Sequence, residues 1–208
     1  MLCEVDEVVS HLLSRSMDEA QNYLRQIDDV AHDIGHGRRT AQNAVIIGHA
    51  MGYENLDVLA LCGLWHDVGR LIDPPDHERI SAEMARDSVK RLGADGELCS
   101  TVYRAIVNHK YSMVPETLEG HIVRDADKLD WLSCERWEAC ISVGQEEHLC
   151  TSASRLPQLY DYLKLAPSQR LYEARIEEFM SYIKTINIEK TPFHAYIQHF
   201  QVRPFATV

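Results

Sequence analysis

Apolar positions recur along this chain at intervals of three and four residues, the spacing that puts them on one face of a helix. Residues 4–31 carry that spacing through one or two amphipathic helices that run out near Asp33-Ile34-Gly35. A second element starts at His36, keeps Ala44, Ile47 and Met51 on the His36 stripe, and stops at Gly52. Asn55 or Asp57 can open a third, LDVLALCGLWHDVG, which is apolar on nearly all sides and therefore belongs in the interior. The prolines of DPPDHE force a turn before a fourth helix over roughly 78–92, closed by Gly93. A fifth runs from about Glu97 to His109, with Leu98, Val102, Ala105 and His109 on neighbouring positions of one face. The pattern continues as one long helix over 122–143, turns more polar over 144–168, and ends in an amphipathic helix marked by Tyr172, Ile176, Phe179, Met180 and Ile183. No segment alternates β-branched residues as a strand would, so the fold class is all-α. Without repeats or a Pro/Gly/Ser-rich linker, residues 1–208 read as one domain with a core region at about 30–131 and a helical extension at about 144–208.

Composition narrows the partners. Hydrophobic residues make up 45% and charged residues 25%, ordinary for a chain that buries a core. A net charge of -11 opposes nucleic acid and anionic membrane as partners, while leaving room for a small anion held by local cations. Six cysteines, at 3, 62, 99, 134, 140 and 150, form no CxxC pair, and several sit inside helical patterns, as reduced thiols do. The opening MLCEVDEVVSHLL has early acids and no basic leader, and no apolar run approaches the roughly 20 residues of a membrane span. These features place the expected protein in the cytoplasm.

The sharpest local feature is His66-Asp67, at the end of the most apolar helix. Burying two adjacent ionisable side chains is costly unless they are paired or bind something, and neighbouring helix positions point about 100° apart, so both cannot escape to water. A metal ion bound by both would resolve that cost. His36 opens the preceding helix on its inward face, and His77, His109 and Asp127 lie on or beside three further helices. Helical bundles assemble metal ligands in this way, and imidazole with carboxylate suits Fe, Mn, Ni, Co or Zn without any thiolate.

In that order, H…HD…D over roughly 30–131, the chain resembles the HD-domain metal-dependent phosphohydrolases. The resemblance implies that His36, the pair His66 and Asp67, and Asp127 in VRDADKLDWL bind a divalent transition metal. His77 in DHERISAEMA and His109 in AIVNHKY extend the resemblance to the subgroup with H…HD…H…H…D ligands and two metal ions. Of the three carboxylates in DADKLD, Asp127 takes the family position; Asp130, one turn on, can orient a ligand or a water, and Asp125 faces elsewhere. His32, one turn before His36, can reach the pocket or cap a helix end. His11, His49, His121, His148, His194 and His199 have no motif around them and are assigned no role.

The reaction that the resemblance implies is hydrolysis of a small phosphorylated substrate, foremost a nucleotide. Bound metal lowers the pKa of water from 15.7 to about 7 and polarises a phosphoryl oxygen. Asp67 can accept the proton of the attacking water, and His77 or His109 can serve the leaving group if not metal-bound. Arg70, Lys110 and Lys128 each follow a ligand closely and are candidates to hold phosphate, with Lys128 foremost. Trp131 could stack on a base. Two other readings stand beside this one: a mixed-valent di-iron oxygenase that cleaves a small polyol or phosphonate, and a non-catalytic nucleotide-binding module. A homodimer is compatible with all three.

Overall fold

The structure is a computed structural model that describes residues 2–198 and 200, with side chains from residue 10 onward. Eleven α-helices lie among these residues, without a strand: α1 Leu2–Leu24, α2 Ile34–Ala50, α3 Leu56–Trp65, α4 His77–Arg91, α5 Gly96–Ile106, α6 Leu118–Leu129, α7 Cys134–Ser142, α8 Leu149–Arg155, α9 Leu159–Tyr162, α10 Ala166–Thr185 and α11 His194–Ile197. None of them is long and apolar enough to cross a membrane.

The expected burial of α3 explains the layering. Being apolar all round, it serves two cores at once. Leu59 joins Ile47, Ile122, Leu129, Trp137 and Phe179 on one side; Leu61 and Trp65 join Leu13, Leu24, Val89, Val102 and Ile106 on the other. Helices α1, α4 and α5 therefore cover one flank of the α2–α3–α6 layer, and the C-terminal helices cover the other. Gly63 lets α3 lie directly on α2, since a Cβ there would stand 2.6 Å from the Ala41 Cα.

Several element boundaries differ from the sequence reading. α1 ends at Leu24, and residues 25–33 form turns before Asp33 caps α2, its carboxylate accepting from Gly35 and His36 N–H. The long helix expected over 122–143 is two. α6 closes at Leu129, a 3₁₀ turn covers Asp130–Leu132, and Ser133 goes extended and caps α7 by accepting from Arg136 N–H. Hydrophobic spacing runs through this break. What decides it is tertiary: Asp130 is held from α2 by Arg39 and His36, and the Trp137 indole N–H turns back to Trp131 O at 2.9 Å. The fifth helix ends at Ile106, three residues short of His109, whose ring takes the Ile106 carbonyl at 2.7 Å. The polar stretch 144–168 contains α8 and α9.

Cys62, Cys99, Cys134, Cys140 and Cys150 are free thiols, as expected; Cys3 lies outside the residues with described side chains, and His199 outside the described residues.

Candidate metal centre

Four imidazoles and two carboxylates from different elements converge where α2, α3, α4 and α6 meet. His36 comes from the first turn of α2, His66 and Asp67 from the end of α3, and His77 from the start of α4. His109 follows α5, and Asp127 sits in the last turn of α6. All six are at most 6% exposed.

Hydrogen bonding aims the rings. Nδ1 lies 2.7 Å from Gly63 O in His66, 2.7 Å from Pro74 O in His77 and 2.7 Å from Ile106 O in His109, while Nδ1 of His36 lies 2.7 Å from Asp130 Oδ2. An acceptor at Nδ1 fixes the proton there, so in the neutral ring each Nε2 presents a bare lone pair inward. The Nε2 atoms of His36 and His66 then face each other at 3.0 Å, a repulsive contact unless a cation lies between them. Asp67 spans the cluster. Its Oδ2 is 3.6 Å from His36 Nε2 and 3.7 Å from His66 Nε2. Its Oδ1 is 3.1 Å from His77 Nε2 and 3.6 Å from His109 Nε2, and it is a buried oxygen with no well-formed hydrogen bond. Asp127 Oδ1 stands 3.5 Å from His36 Nε2 and 3.9 Å from His66 Nε2.

Three overlapping groups can each hold an ion: His36, His66 and Asp67; His66, His109 and Asp127; and Asp67, His77 and His109. The orphaned Asp67 oxygen and the facing lone pairs are what a divalent metal would satisfy, so the donor set fits such an ion. Two of these groups share Asp67, one on each of its oxygens, which leaves room for a pair of ions.

The electrostatics keep His36, His109 and the two aspartates in their ligating forms. Burial pushes His36 down to about 4 against the opposing pull of Asp130, and burial lowers His109 as well. Burial alone would raise both aspartates. Arg70 overrides it at Asp67 and Lys128 at Asp127, and both carboxyls fall below their usual range. A histidine held neutral in the fold contributes stability above its ordinary pKa of about 6.5, and that contribution is lost as pH falls toward the folded value. The melting temperature of the metal-free protein is therefore expected to decline between about pH 6.5 and pH 4, at up to ~1.4 kcal/mol per pH unit for one such group. A flat profile across that window, measured by calorimetry, would contradict the burial of His36.

The remaining expectations separate. Asp130 lies under His36 and accepts a two-pronged bond from Arg39 at 2.6 and 3.2 Å, which makes it an orienting group. Asp125 does face elsewhere: its Oδ2 accepts the Lys164 and Leu165 N–H groups, each at 3.0 Å, and so pins the C-terminal region to α6. His32 reaches the pocket, with its ring on Asp29 at 2.6 Å. His11 and His49 are exposed.

Of the candidate phosphate cations, all three line the adjoining cavity, of about 440 Å³. Each also has a protein partner: Arg70 holds Asp67 Oδ2 at 2.9 Å, Lys110 holds Glu78 at 3.0 Å, and Lys128 bonds to Asp127. Trp131 lines the cavity too, but Tyr111 lies near-parallel to it at 5.9 Å and the Lys128 ammonium stands 5.4 Å from its ring centre.

The sequence reading missed several residues. Arg39 carried a signal, three positions from His36 on the same helix face. Glu78, buried beside His77, carried only adjacency. Asp29, Arg136, His148 and Arg155 also line the cavity, and nothing local marks them, because the folding of distant segments brings them there. His148, assigned no role, bonds to Asp29 at 2.9 Å.

Residues 33–132 match the family model of the HD domain. Solved structures with the same fold include a predicted HD superfamily hydrolase from an uncultured Thermotogales bacterium (TM-score 0.63, 22% identity, 85% of this chain and 91% of that one). A Lactobacillus plantarum protein matches at TM-score 0.64 and 16% identity, over 86% of this chain and 96% of its own. Bacillus subtilis YpgQ, solved in complex with ADP, matches at TM-score 0.61 and 22% identity, over 87% and 97%. A sequence search of curated proteins finds no match.

Proposed function

We propose, from the match of residues 33–132 to the HD-domain family model and from the donor set above, that the chain is a metal-dependent hydrolase that cleaves a phosphoric ester or anhydride of a small molecule, foremost a nucleotide. The observation that carries this reading is the position of Lys128. It is 8% exposed, bonded to Asp127, and faces the same cavity as Asp67 and His109. A buried ammonium beside the proposed metal ligands His36, His66, Asp67, His77, His109 and Asp127 is placed to take a phosphoryl oxygen. At 4 Å and an effective dielectric of about 20, one such pair is worth roughly 4 kcal/mol. YpgQ, with the same fold, was solved with ADP, which agrees with a nucleotide-sized substrate.

When bound, a divalent ion from the set Fe, Mn, Ni, Co or Zn would supply Lewis acidity toward the phosphoryl group and toward water. The chain's own groups do the rest. Asp67, held in its ionised form by Arg70, is the acceptor for the proton of the attacking water. Lys128 steadies negative charge as it grows on the phosphoryl oxygens. His77 and His109 border the same space, and whichever Nε2 is not ligating presents a lone pair that can take up a proton and then pass it to the leaving oxygen. Arg70 and Lys110 add positive potential at the cavity wall.

The test is a phosphate-release screen over nucleotides and small phosphate esters with Mn, Co, Ni and Fe. Lys128→Ala is expected to lower turnover or substrate affinity about 100-fold or more even with metal supplied in excess, whereas Asp127→Ala loses metal. Absence of phosphate release throughout, with oxygen uptake by iron-loaded protein on a polyol or phosphonate, would overturn hydrolysis in favour of oxygenase chemistry.

A further inference from the structure

The charges of the cavity do not balance internally. Its four carboxylates each have a close partner: Asp67 has Arg70 at 2.9 Å, Glu78 has Lys110 at 3.0 Å, Asp127 has Lys128, and Asp29 has His32 and His148 at 2.6 and 2.9 Å. Two guanidinium groups on the cavity wall are left over. Arg136, in the first turn of α7, is only 3% exposed, and its buried Nε has no hydrogen-bond partner. The carboxylate nearest to it, Asp130 at 3.7 Å, is already engaged by His36 and by the two-pronged Arg39. Arg155, in the last turn of α8, has no carboxylate within 4.0 Å among the described residues. Its guanidinium lies 4.4 Å from the Tyr111 ring centre and 6.0 Å from that of Trp131, a stacking that positions the plane and leaves its N–H edge for an acceptor.

A guanidinium without a free anion of its own leaves N–H donors unmatched, as at buried Arg136, whose nearest carboxylate is shared at 3.7 Å, and at half-buried Arg155. A fork of N–H donors matches the oxygens of a phosphate in a bidentate way. We infer that Arg136 and Arg155 form a second anion subsite, which takes the outer phosphates of a substrate whose scissile phosphoryl group sits at Lys128. This rests on the phosphohydrolase reading above and narrows it: the substrate carries a di- or triphosphate chain, not a single phosphate. Both arginines lie beyond the 33–132 region, so the C-terminal extension would choose the substrate while the family core carries out the reaction. Trp131 joins the two subsites, with Lys128 at 5.4 Å and Arg155 at 6.0 Å from one ring centre.

Calorimetric titration of the full-length protein with orthophosphate and with inorganic tripolyphosphate, at fixed ionic strength, reads the subsite without turnover. Tripolyphosphate is expected to bind at least about tenfold tighter than orthophosphate. Arg155→Ala should remove about tenfold of that affinity and leave orthophosphate unchanged, with Arg155→Lys in between. Arg136→Lys, which keeps the buried charge and tests the fork, should also weaken tripolyphosphate selectively. Equal affinities in the parent protein, or an Arg155→Ala variant that keeps the ratio, would overturn the subsite. The two readings fail separately. Hydrolysis that treats nucleoside mono- and triphosphates alike sinks the subsite alone, while Arg155-dependent tripolyphosphate binding without phosphate release from any compound sinks hydrolysis alone.

Discussion

Replacing Asp67 with Asn is expected to cost both metal and turnover, and more of each than any other single change in the centre. Asp67 is the side chain whose two oxygens face both halves of the cluster, Oδ2 toward His36 and His66 and Oδ1 toward His77 and His109. An amide keeps the shape but presents a donor where a ligand must be an anion. It also frees Arg70, whose closest carboxylate is Asp67 at 2.9 Å. Loss of a partner outside the ligand shell typically costs 10–100-fold in metal affinity or activity, so loss of a shared ligand should exceed about 100-fold. The measurement is metal content of protein purified without chelators, alongside phosphate release. An Asn variant that keeps its metal and its rate would place the centre elsewhere. Substrate binding that survives while turnover disappears is expected of an enzyme and not of a pure binding module.

The second large effect is on the fold itself, at Gly63. A Cβ there would stand 2.6 Å from the Ala41 Cα and 2.8 Å from the Ala41 N. Both obstacles are backbone, so no side chain can swing away, and α2 and α3 must move apart. Overpacking of this kind costs about 1–3 kcal/mol, and each kcal/mol lowers the melting temperature of a chain this size by roughly 2–4 °C. The damage reaches the centre, because Gly63 O receives the His66 Nδ1–H and α2 carries His36. Gly63→Ala should thus melt earlier and hold less metal. Gly96→Ala is the control: a Cβ there meets nothing within 4 Å, and its melting temperature should stay within a degree or two. If both variants melt like the parent, the tight α2–α3 contact is wrong.

How much of this was legible in the sequence varies with the kind of signal. Periodicity located the helices well where one face is apolar and the other polar, as in α2, α4 and α5. It failed between α6 and α7, where apolar spacing runs on through a turn imposed by Asp130, Arg39 and the Trp137–Trp131 bond. Residue type and order picked out six donors that the structure brings together. The family resemblance chose Asp127 among three aspartates spaced two and three residues apart, and helix geometry turned Asp125 elsewhere; the structure adds that Asp130 lies beneath His36 and that Asp125 caps the chain near Leu165. A helix turns each of these positions to a different neighbour, but which of them binds a metal is what the resemblance implies.

The sequence by itself therefore determined the all-helical class and the burial of α3, which follow from periodicity and apolarity, while the convergent imidazoles and carboxylates were picked out by residue type together with the family resemblance. Only the tertiary structure decided what those groups face. It set Lys110 on Glu78, and it brought Arg136, His148 and Arg155 from beyond residue 132 to the same cavity. Their positions depend on how α7 and α8 pack against the α2–α3–α6 layer, and a contact between residues as distant in the chain as Asp29 and His148 leaves no mark in the local spacing of either.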